Sequence, residues 1–163
     1  MVISIEEFVK LKDTQLKEKK IVCTSGFFDP IHPGHVSIIM ESKKYGDILV
    51  VVVDGDKRAI TKKGKGFMPA LDRARIVDAI KGVDYVVIYD NPTVNDCIEA
   101  MDAIKPDIMT KGGDRAQPKD IPEYDTVVKN GGEIVFNVGD PKVWSSSNYL
   151  EEWYQFKKSK ESN

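Results

Sequence analysis

The chain has 163 residues, of which 41% are hydrophobic and 31% charged, and 24 basic and 26 acidic side chains give a formal net charge of −2. This near-balance argues against bulk binding to nucleic acid. No apolar run approaches the ~20 residues that a membrane-spanning helix needs. The amino-terminal stretch MVISIEEFVK carries acidic residues and no long apolar block, so we expect no secretory signal, no membrane contact and a cytoplasmic location.

Strand-like and helix-like patterns alternate along the chain. Short apolar runs predict strands at 21–26, 48–53, 85–89, 107–110 and 133–138. Helical spacing of apolar residues, with caps and stop signals, predicts helices at 4–20, from Pro33 onward, at 70–82, at 93–105 and at 145–160. The run ILVVVV (48–53) is apolar throughout, which is typical of a parallel strand covered on both faces. The alternation predicts a Rossmann-like, doubly wound parallel sheet of about five strands in a three-layer α/β/α arrangement.

We expect one domain over residues 1–163, with an amino-terminal helix region at 1–20 and a charged tail at 154–163. The two cysteines, Cys23 and Cys97, lack the spacing of metal ligands and are interpreted as small buried thiols.

Four polar or glycine-containing segments each follow a predicted strand. They are FFDPIHPGH (27–35), DGDKRAITKKGKG (54–66), KGGDR (111–115) and GDPKVWSSSN (139–148). In doubly wound sheets, ligands bind beyond the carboxyl ends of the strands, at the switch in strand order. The sequence therefore predicts that these segments meet at one edge of the sheet and form the site.

Both histidines of the chain, His32 and His35, lie at a predicted helix start in the stretch GFFDPIHPGH (26–35). The free N–H groups of a helix start attract phosphate, and two imidazoles add hydrogen-bond donors. The alternative is that one or both histidines only cap and pack. The chain has no G-x-G-x-x-G fingerprint and no P-loop motif, and no nucleophilic triad is suggested, because both histidines belong to one helix start.

These residues resemble the nucleotidylyltransferase superfamily, whose G-x-F-D-x-x-H-x-G-H block is matched by Gly26, Phe28, Asp29, His32, Gly34 and His35. DRARIVDAIKGVDYVV (72–87) is similar to a second family segment, with Arg73 in the arginine position. KPDIMTKGGDR, NGGEIV and WSSSNYLEEW are similar to the branch that contains the adenylyltransferase domain of ADP-heptose synthase. The likeness spans about residues 4–153.

The resemblance implies transfer of a nucleotidyl group from an NTP, preferably ATP, to a sugar phosphate such as a heptose 1-phosphate, with release of pyrophosphate. It implies no covalent intermediate, Mg²⁺ bound mainly through the NTP phosphates without direct protein ligands, and a homodimer. The implied catalytic residues are His32, His35 and Lys43. The implied nucleotide-binding residues are Gly26, Phe27, Phe28, Asp29, Gly34, Asp54, Arg73, Lys111, Gly112, Asp114, Ser145, Ser146 and Ser147.

Other interpretations stay open at this point. The enzyme would alternatively use CTP with a polyol phosphate or phosphonate, or the chain would be a nucleotide-binding module without turnover. Lys43 would alternatively be a solvated helix end, Arg73 a surface residue or a supporting ion pair, and 145–147 a plain helix cap. Residues 62–66 would form either a closing flap or an ordinary loop. Phe27 departs from the small or polar residue usual in the family, so we expect it to affect nucleotide choice.

Overall fold

Six parallel strands form one sheet in the order β1-β4-β3-β2-β5-β6 in the computed structural model, which describes residues 1–94, 96–113, 115 and 117–161. The strands are β1 Val2–Ile3, β2 Ile21–Gly26, β3 Ile48–Asp54, β4 Tyr85–Tyr89, β5 Ile108–Thr110 and β6 Glu133–Val135. The helices are α1 Ile5–Thr14, α2 Pro33–Ser42, α3 Asp56–Lys63, α4 Ala70–Asp78, α5 Ile98–Ile104, α6 Tyr124–Lys129 and α7 Ser146–Glu161. Short 3₁₀ turns lie at Lys43–Tyr45 and Pro118–Asp120.

The central strands are buried on both faces, as the predicted parallel sheet requires. Val50, Val51, Val52 and Val53 in β3 are fully buried. One core cluster packs α1, α5 and α6 on one face of the sheet, and a second packs α2 and α4 on the other. The predicted doubly wound α/β/α fold is confirmed, with six strands rather than about five. The extra strand, β1, is only two residues long and pairs with β4.

The strand order reverses at β2, which pairs with β3 on one side and with β5 on the other. Because β2 lies at this switch, the loops that follow β2, β3 and β5 meet beyond the carboxyl edge of the sheet. The fold therefore places three of the four predicted site segments around one opening.

Several predicted helix ends were wrong, for local reasons. The first helix ends at Thr14 rather than residue 20, where the Thr14 hydroxyl bonds back to the carbonyl of Lys10. The helix predicted at 93–105 begins only at Ile98, because Thr93 donates its N–H and hydroxyl to the Asn91 side chain in a local turn. The helix predicted at 70–82 ends at Asp78 and continues as a turn.

Two helices, α3 and α6, lay outside the predicted set. The sequence of α3, DKRAITKK, buries only Arg58 and Ala59, and so it lacks the apolar spacing that marks a helix in sequence. Helix α6 has six residues, of which only Val127 is buried. Within the described ranges, no helix combines the length and the apolar content needed to cross a membrane.

Candidate active site

A cleft of about 350 Å³ opens at the carboxyl ends of β2, β3 and β5. Its walls come from the β2–α2 turn, the end of β3 with helix α3, the residues after β5, and the segment before α7. All four predicted polar segments contribute to it. The position agrees with the expectation from strand order, and 350 Å³ is enough room for a small ligand.

The two histidines form one side of the cleft, which we call the histidine wall (His32 and His35). Their rings stack with centroids 3.6 Å apart at an interplanar angle of 14°. His32 is the N-cap of α2: its Nδ1 accepts the N–H of His35, and the Nδ1 of His35 accepts the N–H of His32, both at 3.3 Å. Because each Nδ1 is an acceptor, each neutral ring carries its hydrogen on Nε2. The wall thus holds two parallel imidazole donors beside a helix start.

The histidines are uncharged in this state of the protein. Burial, followed by the nearby His32 and the Lys63 ammonium, lowers the pKa of His35 to about 4. Burial also lowers the pKa of His32. The pair therefore offers neutral N–H donors at neutral pH, and a bound polyanion would favour protonation of either ring.

Two glycines allow the close packing behind the wall. A Cβ at Gly34 would lie 3.2 Å from ring atoms of His32 and from Trp144, and one at Gly26 would lie 3.1 Å from the Phe28 ring. Phe28 adopts φ +53° and is 3% exposed, and its ring meets the His35 ring edge-on at 5.2 Å. Of these residues, Gly26, Gly34 and Phe28 were predicted to belong to the site, and all three line the cleft.

Phe27 lies at the mouth of the cleft, next to the carboxyl end of α3. The ammonium groups of Lys62 and Lys63 lie 5.3 Å and 4.6 Å from its ring centroid. An aromatic face attracts such cations, so this ring holds two positive charges at the opening. A small polar residue at this position would lack that attraction.

Asp29 is 2% exposed and anchors the loop that precedes α4. Its Oδ2 accepts the N–H of Phe67 at 2.8 Å, and its Oδ1 accepts the N–H of Met68 at 2.9 Å. Both carboxylate oxygens are therefore committed to backbone groups. The sequence predicted either a closing flap or an ordinary loop at residues 62–66. The hydrogen bonds from Phe67 and Met68 to Asp29 anchor the chain directly after that segment.

Four charged residues form another part of the cleft, which we call the ion-pair floor (Asp54, Arg58, Lys111 and Glu123). Asp54 ends β3 and accepts a hydrogen bond from Arg58 Nε at 2.6 Å, with both side chains almost fully buried. Lys111 follows β5: its Nζ lies 3.3 Å from Ser25 Oγ and 3.5 Å from Glu123 Oε2. A Cβ at the next residue, Gly112, would lie 2.6 Å from the Val138 carbonyl, so only glycine fits there.

Arg73 lies behind the cleft and is 1% exposed. Its guanidinium donates to the carbonyls of Phe27, Asp54 and Met68 at 2.8, 2.6 and 2.9 Å, and to Asp56 Oδ1 at 3.1 Å. These bonds join the loops after β2 and β3 to the start of α4. The sequence left three roles open for Arg73: contact with a nucleotide, a surface residue, or a supporting ion pair. Its burial and these bonds correspond to the supporting role.

Lys43 lies at the other end of α2, beneath the opposite edge of the sheet. Its Nζ bonds to Asp84 Oδ2 and to the carbonyl of Asp47. Asp84 Oδ2 also accepts the N–H of Leu49, near the start of β3. A ten-residue helix is about 15 Å long, which separates Lys43 from the histidine wall. The structure does not bring Lys43 to the cleft, and its predicted place in a phosphate site is not retained.

The three serines before and in α7 do different things. Ser145 lies just before the helix, and its Oγ accepts the N–H of Asn148. Ser146 lines the cleft and donates its hydroxyl to the carbonyl of Pro30 at 2.7 Å, next to the histidine wall. Ser147 is exposed. Of the remaining predicted residues, Asp114 lies outside the described residues.

Some residues of the cleft were not named as site residues from the sequence. Arg58, Lys63, Arg115 and Lys142 belong to the polar segments that were predicted to form the site, but they were not singled out within them. Glu123 lies outside those segments, and only its charge marked it. Among the described residues, no group of three or more His, Cys, Asp or Glu side chains is arranged to hold a metal ion.

Comparison with known proteins places this geometry in a family. Residues 23–162 match the cytidylyltransferase-like family. The chain belongs to this family. It is a nucleotidyltransferase, and the resemblance noted from the G-x-F-D-x-x-H-x-G-H block is confirmed.

Similar proteins include a bifunctional protein HldE from Desulfatibacillum aliphaticivorans, 35% identical over 144 residues, which cover 87% of this chain and 28% of that protein. HldE from Azorhizobium caulinodans is 40% identical over 119 residues, or 71% of this chain and 24% of the relative. The chain thus spans about a quarter of the length of these relatives.

Two solved structures share the fold. The lipopolysaccharide core biosynthesis protein from Thermoplasma volcanium GSS1 is 29% identical with a TM-score of 0.63, covering 75% of this chain and 98% of that one. Pantoate-beta-alanine ligase from Francisella tularensis, solved with beta-gamma ATP and beta-alanine, is 13% identical with a TM-score of 0.62, covering 92% of this chain and 72% of that one. The second likeness concerns the fold alone.

Proposed function

We propose that this nucleotidyltransferase transfers NMP from an NTP, preferably ATP, to a sugar phosphate such as a heptose 1-phosphate, and releases pyrophosphate. The observation that carries the proposal is the histidine wall, where His32 and His35 present two Nε2–H donors at the start of α2. The similarity to HldE proteins supports a sugar phosphate as the acceptor and ATP as the donor.

In the proposed reaction, a phosphate oxygen of the acceptor attacks the α-phosphorus of the NTP in line. The bond from the α-phosphorus to the bridging oxygen breaks, and pyrophosphate leaves with that electron pair. No protein nucleophile takes part. The chain contributes position and hydrogen bonds: the histidines and the start of α2 contact the phosphates, and Lys62 and Lys63 add positive charge at the mouth.

The acidic side chains at the cleft fit a Mg²⁺ ion that is carried by the phosphates. Asp29 accepts two backbone N–H groups and Asp54 Oδ1 accepts from Arg58, and the described residues hold no group of three or more His, Cys, Asp or Glu side chains arranged for a metal ion. When bound, Mg²⁺ would neutralise charge on the triphosphate. Direct protein ligation of the ion is therefore not part of the proposal.

The proposal is tested by measuring pyrophosphate release with the four NTPs, each combined with a panel of sugar 1-phosphates and polyol phosphates. We expect turnover with ATP and a sugar 1-phosphate, and its loss in His35→Ala. Turnover only with CTP and a polyol phosphate or phosphonate would favour the alternative that the family description suggests. If no pair turns over while an NTP still raises the melting temperature, the chain acts as a nucleotide-binding module.

The homodimer that the resemblance implies stays a prediction. Helix α7 exposes Trp153, Tyr154 and Phe156 by 61%, 57% and 48%. Large exposed aromatic residues on one helix are typical of a contact surface, which supports the prediction. Sedimentation equilibrium of the wild type and of a Trp153→Ser variant measures whether the chain associates and whether α7 carries the contact.

A further inference from the structure

The ion-pair floor differs in chemistry from the rest of the cleft. It holds two cations and two carboxylates, so its formal charge is zero. The two pairs are connected through Cys97, whose N–H donates to Glu123 Oε1 at 2.9 Å and whose Sγ lies 3.5 Å from Asp54 Oδ1. The floor is therefore a continuous, neutral, polar surface that offers both donors and acceptors.

One atom of this floor lacks a hydrogen-bond partner. Glu123 is 3% exposed, and in the described part of the chain its Oε2 is the one buried side-chain oxygen or nitrogen without a hydrogen bond. The ammonium of Lys111 lies 3.5 Å away, which is longer than the 2.7–2.9 Å typical of a charge-assisted hydrogen bond. A buried carboxylate oxygen without a partner costs free energy, which a ligand donor can recover.

The carboxylate of Glu123 is ionised at neutral pH. Burial by itself would raise the pKa of Glu123, but the Lys111 ammonium and the N–H of Cys97 together lower it below the ordinary value. An ionised carboxylate only accepts hydrogen bonds, whereas an ammonium only donates them. The Glu123 carboxylate and the Lys111 ammonium therefore match a ligand group that both donates and accepts hydrogen bonds.

We propose that Glu123 and Lys111 together bind a hydroxyl group on the sugar ring of the acceptor, and so select a polyhydroxylated substrate. This inference rests on the proposed function, because it concerns the acceptor of the same cleft. The hydroxyl donates to Glu123 Oε2 and accepts from Lys111 Nζ. Because Oε2 is shielded from solvent and Lys111 Nζ lies 3.5 Å from it, the proposed contact requires the Lys111 side chain to shift when the sugar enters.

The charge distribution separates this hydroxyl site from the phosphate site. A phosphate near Glu123 would meet the negative charge of the carboxylate, whereas the histidine wall and the lysines beside Phe27 offer donors and positive charge. The phosphates therefore lie on the histidine side. The neutral part of the acceptor lies on the floor.

A hydroxyl pair also occurs on the ribose of the NTP, so the experiment needs two arms. Calorimetry would measure the affinity of mannose 1-phosphate and of inorganic phosphate in the presence of α,β-methylene ATP, which cannot release pyrophosphate. The second arm would compare ATP with 2′-deoxy-ATP and 3′-deoxy-ATP. Each arm uses wild type, Glu123→Gln and Glu123→Asp, with melting temperatures to show that the variants are folded.

We expect wild type to bind mannose 1-phosphate at least tenfold more tightly than inorganic phosphate, and Glu123→Gln to reduce that ratio to less than threefold. Glu123→Asp keeps the charge beside Lys111 and shortens its reach, so we expect an intermediate ratio. Glu99→Gln is the matched control, because Glu99 is exposed and bonds to Tyr89 and Asn91 outside the cleft. Its ratio should equal that of wild type.

Two results would overturn the inference. In one, wild type shows no preference for the sugar phosphate, or the preference survives in Glu123→Gln. In the other, the variant changes only the ratio between ATP and its deoxy forms, which would place the hydroxyl on the nucleotide. Pyrophosphate release by the same protein variants, measured separately with ATP and mannose 1-phosphate, distinguishes the two proposals. A Glu123-dependent binding preference without turnover would contradict the proposed function alone.

Discussion

The histidine wall and the ion-pair floor line the same cleft, yet they are built in different ways. His32 and His35 are three residues apart and bond to each other's backbone, so one short motif completes the wall. The floor joins the end of β3, the residue after β5 and a buried glutamate before α6. In the proposed function, the local motif supplies the phosphate contacts, and the long-range assembly is the part that would select the acceptor.

The largest expected effect is on the wall. His35→Ala removes the Nε2–H donor that we propose contacts the reacting phosphates, and loss of such a donor lowers kcat by roughly 10²–10³-fold. The rate of pyrophosphate release measures it. We expect the melting temperature to stay within a few degrees of wild type. A fall in kcat of less than tenfold would mean that the wall is not the catalytic side.

The next effect concerns the support that both sides share. Arg73→Ala leaves the carbonyls of Phe27, Asp54 and Met68 without their buried donor. We expect the free energy of unfolding in urea to fall by about 3–5 kcal/mol. Arg75→Ala is the control on the same helix, because its side chain is 69% exposed and its partner Asp72 lies 4.0 Å away. Equal losses in the two variants would contradict the role of Arg73.

The stability of the protein is expected to depend on pH through His35, a residue of the histidine wall. The pKa of His35 is about 4 in the folded protein and 6.5 in an unperturbed chain, so the unfolded state binds more protons between these values. The contribution of His35 to stability is therefore complete above about pH 6.5 and is lost as the pH falls toward 4. We expect the melting temperature of wild type to drop more over this range than that of His35→Gln. Parallel curves would show that His35 is not buried as described.

A smaller effect is expected at the mouth of the cleft. Phe27→Leu keeps an apolar side chain but removes the aromatic face under Lys62 and Lys63. Exposed contacts of this kind contribute about 0.5–1 kcal/mol, so we expect the KM for the NTP to rise by roughly two- to fivefold. Phe67→Leu is the matched control, because Phe67 is 58% exposed and contributes only its backbone N–H to Asp29. A similar KM for the NTP in both variants would contradict a role of Phe27 in nucleotide binding.

The smallest effect is expected at Lys43. Because its ammonium bonds to Asp84 and Asp47 beneath the opposite edge of the sheet, Lys43→Ala should leave both KM values within twofold of wild type. The partly exposed ion pair predicts a stability loss of about 1 kcal/mol or less. Steady-state kinetics measures the first and urea unfolding the second. A tenfold rise in KM would instead support the sequence-based prediction that Lys43 binds a phosphate.

The wall was predictable from sequence, whereas only half of the floor was. Both histidines, the Gly34 that packs against His32 and the preceding strand all lie within residues 21–35, so the spacing of the histidines and their place after a strand indicated a site. Asp54 and Lys111 were found because each lies at the end of a predicted strand. Arg58 and Glu123 lie in polar segments without apolar periodicity, where charge is the usual mark of a solvated surface. Their burial depends on tertiary contacts.

Asp29 has a consequence for how this protein tolerates change. Its carboxylate ties the amides of Phe67 and Met68 to a position three residues before His32. Asp29 therefore couples the loop before α4 to the turn that carries the histidines. Slow hydrogen exchange at these two amides would report that coupling. We expect substitutions in the loop before α4 to alter the position of the histidine rings.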